Sequence, residues 1–408
     1  MVLKRPNTPT TFEDMETESA VGVAEPQAAA PVSTPSLPGV GTTIFTVMSR
    51  LAQQCGAINL SQGFPDFNAD DLLFERVAHW MRSGHNQYAP MAGCLSLRAA
   101  VAEKVHTLYG TQYDVDEEVT ITAGATQALF TAVLACVHPG DEVIVFEPVY
   151  DAYVPAIELA GGRAIRIALA APDYRPDWTS VAAAIGPRTR MIIINSPHNP
   201  TATVWCGADL DALAALVRDT AIVVLSDEVY EHIVFDGRHH VSCAAHAELA
   251  ARSFVVSSFG KTYHITGWKV GHVLAPRELM TEFRKVHQFN VFTVNTPVQL
   301  ALADYMADAS RHLELAAFYQ RKRDLFRHAL AGSRFTLLPS QATYFQLARF
   351  DAVADRPDRE FCEWLTREVG VAAIPVSAFF ADGHDERIIR FCFAKNDDTL
   401  KAACERLQ

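Results

Sequence analysis

An α/β fold is predicted for this chain: a large domain with a mostly parallel mixed sheet flanked by helices, plus a smaller α+β domain. Three observations predict it. From about residue 119, short apolar runs alternate with stretches of helical spacing. Those runs are apolar at nearly every position, as in strands that helices cover on both faces. Beyond about residue 331 helix and strand patterns mix without that alternation.

Taken in order, residues 1–38 hold six of the 21 prolines, among Thr, Ser, Ala and Glu. No helical or strand period emerges there, so a disordered extension with no part in the chemistry is expected. Residues 39–70 are assigned to the smaller domain, 71–299 to the large domain and 300–408 to the smaller domain again. Val119-Thr120-Ile121-Thr122 is a strand running into Gly124-Ala125-Thr126, and apolar residues at 128, 129, 132, 133 and 136 then have helical spacing. Further strands are expected at 143–146, 163–169, 191–194, 222–225, 254–257 and 272–274. Residues 296–331 read as one long helix. The last block offers strands at 343–347 and 388–393, and a helix capped by Asp358.

Composition narrows the function. The 408 residues carry 35 basic and 47 acidic side chains, a net charge of −12. Such acidity argues against a duplex nucleic-acid binder and against docking on anionic lipid. No apolar run approaches the ~18 residues of a membrane helix. The eight cysteines are scattered without a Cys-x-x-Cys pair, which suits thiols in a reducing compartment. Glu13, Asp14, Glu16 and Glu18 speak against an acid-poor transit peptide. A cytoplasmic protein is expected.

Ligands of parallel α/β sheets gather at the carboxyl ends of strands. Three predicted strands end in polar clusters: Asn195-Ser196-Pro197-His198-Asn199-Pro200, Ser226-Asp227-Glu228-Val229-Tyr230, and Ser258-Phe259-Gly260-Lys261-Thr262. Three chemistries compete for this set. A nucleotide hydrolase would need a glycine at 255, where valine stands, and its acidic strand after the lysine rather than before it. A Ser-Lys acyl hydrolase would need Ser-Asp-Asn and Lys-Thr-Gly elements; Ser226-Asp227 is followed by Glu228, and Lys261-Thr262 by Tyr263. A pyridoxal 5′-phosphate enzyme gives each residue a task. A desolvated lysine condenses with an aldehyde, an aspartate keeps the pyridine nitrogen protonated, a tyrosine and an asparagine hold the ring oxygen, and a helix N-terminus of small residues takes the phosphate.

Six segments then carry a resemblance: Ser61-Gln62-Gly63-Phe64-Pro65-Asp66-Phe67, Asn86-Gln87-Tyr88, Asn195 to Pro200, Asp227 to Tyr230, Ser258 through Lys261 to Gly267 and Lys269, and Ile389-Arg390-Phe391-Cys392-Phe393-Ala394. Together they resemble class I aminotransferases of fold type I, in family order across about residues 39–408. The resemblance is strongest to the branch of methionine aminotransferases and kynurenine aminotransferase/glutamine transaminase K. It implies that Lys261 is the Schiff-base lysine and proton carrier, that Asp227 pairs the pyridinium, and that Tyr230 and Asn199 hold the ring oxygen. It implies that Tyr150 stacks on the ring, and that Gly124, Ala125, Thr126, Ser258 and Lys269 hold the phosphate. Tyr88 would reach the phosphate of a neighbouring subunit in a homodimer. Arg390 would clamp the substrate α-carboxylate, helped by Gly63 and Asn199. Amino acid and 2-oxo acid substrates follow, with methionine and aromatic donors, and with β-elimination from cysteine S-conjugates as the alternative. Where the mammalian kynurenine pattern has an aromatic residue in the phosphate loop, this chain has Thr126, which keeps a donor but alters the rim.

Simpler readings compete. Asp227 could cap a helix, Arg390 could serve a structural carboxylate, and Tyr150 and Tyr153 could be packing aromatics. Tyr153 stays open between the two. Ile44, Phe45, Phe64 and Phe292 are expected to line the pocket. No His-Glu-x-x-His pattern occurs, so no metal site is expected, and His198 and His264 are given no role.

Overall fold

The seven strands expected between 119 and 274 all form, each within two residues of its expected ends. The computed structural model describes residues 36–408, and all but the last three residues of the expected disordered extension lie outside them. In spatial order the sheet runs Val119–Thr122, Gly271–Leu274, Ser253–Ser258, Val223–Asp227, Thr189–Asn195, Glu142–Glu147 and Arg163–Ala168. Neighbours pair in parallel except around Gly271–Leu274, which runs antiparallel to both strands beside it.

The apolar runs are explained by cover on two sides. Successive strand side chains point to opposite faces. Ile192, Ile194, Val224 and Val255 enter one core with Leu97, Val101 and Val105 of the helix Leu95–Tyr109. Met191, Ile193, Val223, Leu225, Phe254 and Val256 enter the other, against Ala128, Leu129, Ala132 and Val133 of the helix Gly124–Cys136. A third core joins Met48, Leu51 and Leu60 to Phe326, Phe345, Phe361, Phe391 and Leu400. There the strand Ile58–Asn59 pairs in parallel with Val371–Ala372, so the two ends of the described chain share one core. Residues 39–408 make one compact unit.

Three expectations are corrected. The long helix at 296–331 is three helices, Thr296–Met306, Ser310–Leu313 and Leu315–Ala329. Asp308 breaks it: its carboxylate accepts from Ser310 N (3.1 Å) and Oγ (2.6 Å), a local turn that competes with the helical ladder. The first of these helices packs in the same core as the central sheet through Val298, Ala301 and Leu302, and position 299/300 falls inside it. Asp358 does not cap its helix. Pro357 holds the cap position, and Asp358 accepts from Ser377 N (2.8 Å) and Oγ (2.6 Å). Finally, the strand expected at 343–347 is Phe345–Arg349, because Thr343 sits in the left-handed region at φ 64°.

Among the described residues, no helix is long and apolar enough to cross a membrane.

Candidate active site

The last residue of each of the three strands Thr189–Asn195, Val223–Asp227 and Ser253–Ser258 is polar. Asn195 and Asp227 end neighbouring strands and sit opposite each other in register. Ser258 ends the next. Beyond it the reversed strand presents its amino end to the same rim, with Gly271 paired to both Ser258 and Thr122. That reversal delivers Lys269. Gly271 itself tolerates nothing larger: a Cβ there would lie 2.7 Å from Ser257 O and 3.0 Å from Ala125 N.

These ends enclose a cavity of about 190 Å³, lined by Gly124, Ala125, Thr126, Tyr150, Asn199, Asp227, Tyr230, Ser258, Lys261 and Lys269. Every residue expected to touch a cofactor is among them except Tyr88. Leu129, Asn195, Val229, Gly260, Thr266 and Val270 complete the wall.

One end suits an anion. The helix Gly124–Cys136 begins there, and the first N–H groups of a helix have no partner within it. Lys269 closes over this turn, its Nζ 3.4 Å from where a Cβ on Gly124 would stand.

The centre suits a protonated ring nitrogen. Asp227 is buried, with Oδ2 accepting from the Tyr153 phenol at 2.6 Å and Oδ1 from Val229 N at 3.3 Å. Burial raises its pKa to about 6, against the lowering pull of those hydrogen bonds and of Lys261. Lys261 lines the cavity and is half-buried. Desolvation lowers its pKa to about 8, so the free base is within reach near neutrality. Its Nζ donates to Gly63 O at 3.2 Å and stands 5.7 Å from the ring centres of both Tyr230 and Tyr344. Burial also pushes up the phenols of Tyr230 and Tyr150, the latter to about 12, so both remain donors.

The far side suits a carboxylate. Arg390 is 1% exposed. Its Nη1 donates to Asn199 Oδ1 at 2.7 Å and its Nη2 to Ser61 O at 3.1 Å, while Nε has no partner. Its guanidinium lies 3.9 Å from the Phe345 ring centre, 5.3 Å from Phe45 and 5.5 Å from Phe379. A buried cation with an unused donor is costly unless an anion joins it.

Tyr88 lies elsewhere. It is 82% exposed, beside Phe292 on a surface groove with Met81, Asn86 and residues 293–297. Phe64 and Phe292 do not line the cavity: they are 44% and 45% exposed, the first covered by Lys395 and the second set against Tyr88. Phe45 faces Arg390. Ile44 lines an adjoining cleft with Thr126, Tyr150 and Phe379. His198 is bonded to Thr201 (2.6 Å), and His264 packs among Phe67, Phe318 and Tyr319. Two residues are added. Tyr153 proves to be the donor to Asp227, and Tyr344 donates to Gly63 O at 2.5 Å. Tyr344 stands outside every motif, so only its place beside Phe345 in an aromatic strand hinted at it.

The family model for aminotransferase class I and II matches residues 56–407. The chain belongs to this family. The methionine aminotransferase of Escherichia coli (strain K12) is 55% identical over 373 residues, covering 91% of this chain and 97% of that one. Kynurenine–oxoglutarate transaminase 1 of Rattus norvegicus is 33% identical over 408 aligned positions, covering 91% and 96%. A crystal structure of YbdL from Escherichia coli, described as having a methionine aminotransferase function, matches with a TM-score of 0.91 and 54% identity over 93% of this chain and 99% of that one.

As a class I aminotransferase the chain works with pyridoxal 5′-phosphate, and its residues fit that group. The small-residue helix start with Lys269 suits the phosphate, and the buried carboxyl of Asp227 suits the ring nitrogen. Lys261, with its lowered pKa, suits the aldehyde.

Proposed function

We propose that this aminotransferase takes the α-amino group from methionine and aromatic L-amino acids and gives it to 2-oxo acids, as a cytoplasmic homodimer. The observation that carries the reading is Arg390, a buried guanidinium with an unpartnered Nε, ringed by Phe45, Phe345 and Phe379. It supplies a planar fork for the α-carboxylate inside an apolar wall suited to an uncharged side chain. The similarity to a methionine aminotransferase at 55% identity points the same way.

Bound pyridoxal 5′-phosphate supplies an aldehyde and an electron-withdrawing ring. The chain does the rest. Lys261 Nζ, whose free base desolvation brings within reach near neutrality, would hold the aldehyde and would move a proton at the substrate Cα; such transfer contributes about 10²–10⁴-fold. Asp227, oriented by Tyr153, keeps the ring nitrogen protonated. Tyr230 and Asn199 hold the ring oxygen and Tyr150 covers the ring face. Gly124, Ala125, Thr126, Ser258 and Lys269 take the phosphate. Gly63 and Asn199 set the substrate carboxylate against Arg390. Tyr88, exposed on its groove, reaches the phosphate of the partner copy, and the exposed Phe292 set against it gives that contact apolar area. The eight cysteines, all free, suit a reducing compartment.

The test is a panel of amino acids and 2-oxo acids followed as separate half-reactions, with borohydride reduction locating the cofactor lysine. Methionine, phenylalanine and tyrosine should react, and Lys261→Ala should lose the reducible adduct. Turnover confined to aspartate and glutamate would overturn the donor assignment, and an adduct at another lysine would overturn the site.

A further inference from the structure

Behind the cofactor cavity lies a group of buried charges that the chemistry above does not use. Its centre is Glu231, the residue after Tyr230. Its carboxylate accepts from Lys104 Nζ at 2.6 Å, from the Tyr109 phenol at 2.8 Å and from Ser257 Oγ at 2.5 Å. The side chains of the Lys104–Glu231 pair are only 7% and 4% exposed. Lys104 and Tyr109 belong to the helix Leu95–Tyr109, while Ser257 is the residue before Ser258.

We propose that Glu231 is a positioning residue of the aminotransferase site: its carboxylate ties the turn carrying Asp227 and Tyr230 to the strand end carrying Ser258 and Lys261, and anchors both to the helix Leu95–Tyr109. The proposal rests on the reading of those four residues as cofactor holders.

The geometry supports a division of labour along residues 227–231. Asp227 and Tyr230 face the cavity. Glu228 and Glu231 face the protein, where Glu228 accepts from Ser226 Oγ (2.7 Å) and Cys243 N (2.9 Å), with His240 Nε2 2.8 Å away. The backbone closes the turn, with Glu231 N donating to Glu228 O at 2.9 Å. Each residue that would hold cofactor is thus next in sequence to an acid fixed from behind. A small void of about 10 Å³ lined by Lys104, Glu231, Ser257, Ser258 and Thr262 places this network directly under the turn Phe259–Thr262 that bears Lys261.

Energetics favour geometry over stability as the role. A buried ion pair gains little over apolar residues of similar volume, because desolvating two charges offsets their attraction. Apolar side chains would fill the same space. They would not hold Ser257 and Tyr109 in fixed directions. Glu231 stays ionised, since burial raises its pKa but Lys104, with His232 and His272 nearby, pulls it well below the ordinary carboxylate value.

The test separates packing from positioning. The double variant Lys104→Met/Glu231→Leu replaces the pair by apolar bulk, and Ser257→Ala removes only the link to the strand end. In both, the cofactor-free chain is titrated with pyridoxal 5′-phosphate by absorbance, its thermal midpoint is recorded, and the pH at which the bound cofactor changes colour is measured. Positioning predicts about tenfold or greater loss of cofactor affinity in the double variant, a smaller loss in Ser257→Ala, a displaced colour transition in each, and a fall in kcat greater than any rise in KM. A folded double variant with wild-type affinity and colour transition would overturn the proposal. If the double variant does not fold, wild-type behaviour of Ser257→Ala overturns it. Absence of any Lys261 adduct in the wild type would overturn the underlying reading as well, whereas a wild-type adduct with unaltered variants would overturn this proposal alone.

Discussion

The phenol of Tyr153 donates to Asp227 Oδ2 across 2.6 Å inside the protein. An aromatic at the start of the helix Tyr153–Leu159 thereby acts on a carboxylate 74 positions later. Burial raises the Asp227 pKa and this bond lowers it, so Tyr153 favours the charged form that a ring N–H requires. Tyr153→Phe should weaken cofactor affinity about tenfold, the worth of a hydrogen bond to a charged group. It should also move the acid limb of kcat/KM to higher pH. Titration of cofactor-free Tyr153→Phe with pyridoxal 5′-phosphate, beside a pH–rate profile, checks both; an unmoved acid limb would remove Tyr153 from the site.

The same carboxyl makes the cofactor-free chain sensitive to pH. Its folded pKa of about 6 lies above the ordinary 3.8, so the folded state binds this proton more tightly than the unfolded one. The stability it contributes is complete below about pH 4 and is lost as pH rises through about 6. Asp227→Asn removes this dependence. The variant's stability advantage over wild type, without cofactor, should grow by about 1–2 kcal/mol between about pH 5 and about pH 7.5. Urea melts at the two pH values measure it, and a constant difference would contradict a carboxyl whose burial outweighs its hydrogen bonds.

Lys261 has the opposite sign. Desolvation lowers its pKa to about 8, so its amine is mostly neutral above that pH while surface lysines stay charged to about 10.4. Reductive methylation of the cofactor-free chain with formaldehyde should reach half its maximal rate at Lys261 near pH 8, read by peptide mass analysis. A rate still climbing at about pH 10 would place the amine in water.

Arg390→Lys should lower kcat/KM for every donor by about a hundredfold, chiefly through KM. An ammonium cannot reproduce a two-point fork, and the bonds to Asn199 Oδ1 and Ser61 O would be reorganised with it. A loss limited to one donor class would mean that Arg390 reads the side chain instead.

What the sequence revealed of this site follows from one regularity. Asn195, Asp227 and Ser258 lie at the ends of apolar runs, and parallel strands bring such ends to one rim. Asn199, Asp227, Tyr230 and Lys261 are therefore candidate cofactor residues from the sequence alone, while Tyr150, Ser258 and Lys269 are candidates only through the resemblance. Contacts that depend on strand direction or on distant pairing were hidden. Nothing in the run at 272–274 reveals that it is reversed, yet the reversal carries Lys269 to the anion end. The target of Tyr153 and the bond from Tyr344 to Gly63 depend on how separate segments pack. The break near Asp308 was missed because apolar periodicity continues on both sides of it, while the turn rests on one carboxylate and Ser310.

Gly271 sets the closeness of that anion end. A Cβ at this position would meet only backbone: Ser257 O at 2.7 Å, with Ala125 N and Gly124 C at 3.0 Å. Backbone atoms within a sheet and a helix start cannot swing aside as a side-chain tip can, so Gly271→Ala must part the strand from the first turn of Gly124–Cys136. Overpacking of this kind costs about 1–3 kcal/mol, and the displaced turn should bind phosphate less well. Gly267→Ala is the matched control, since nothing lies within 4 Å of its would-be Cβ. Gly271→Ala should therefore lower both the thermal midpoint and the affinity for pyridoxal 5′-phosphate, while Gly267→Ala changes neither. Inorganic phosphate should protect the wild type against thermal unfolding more than it protects Gly271→Ala. Equal protection of the two would show that the close approach at Gly271 has no part in forming the anion site.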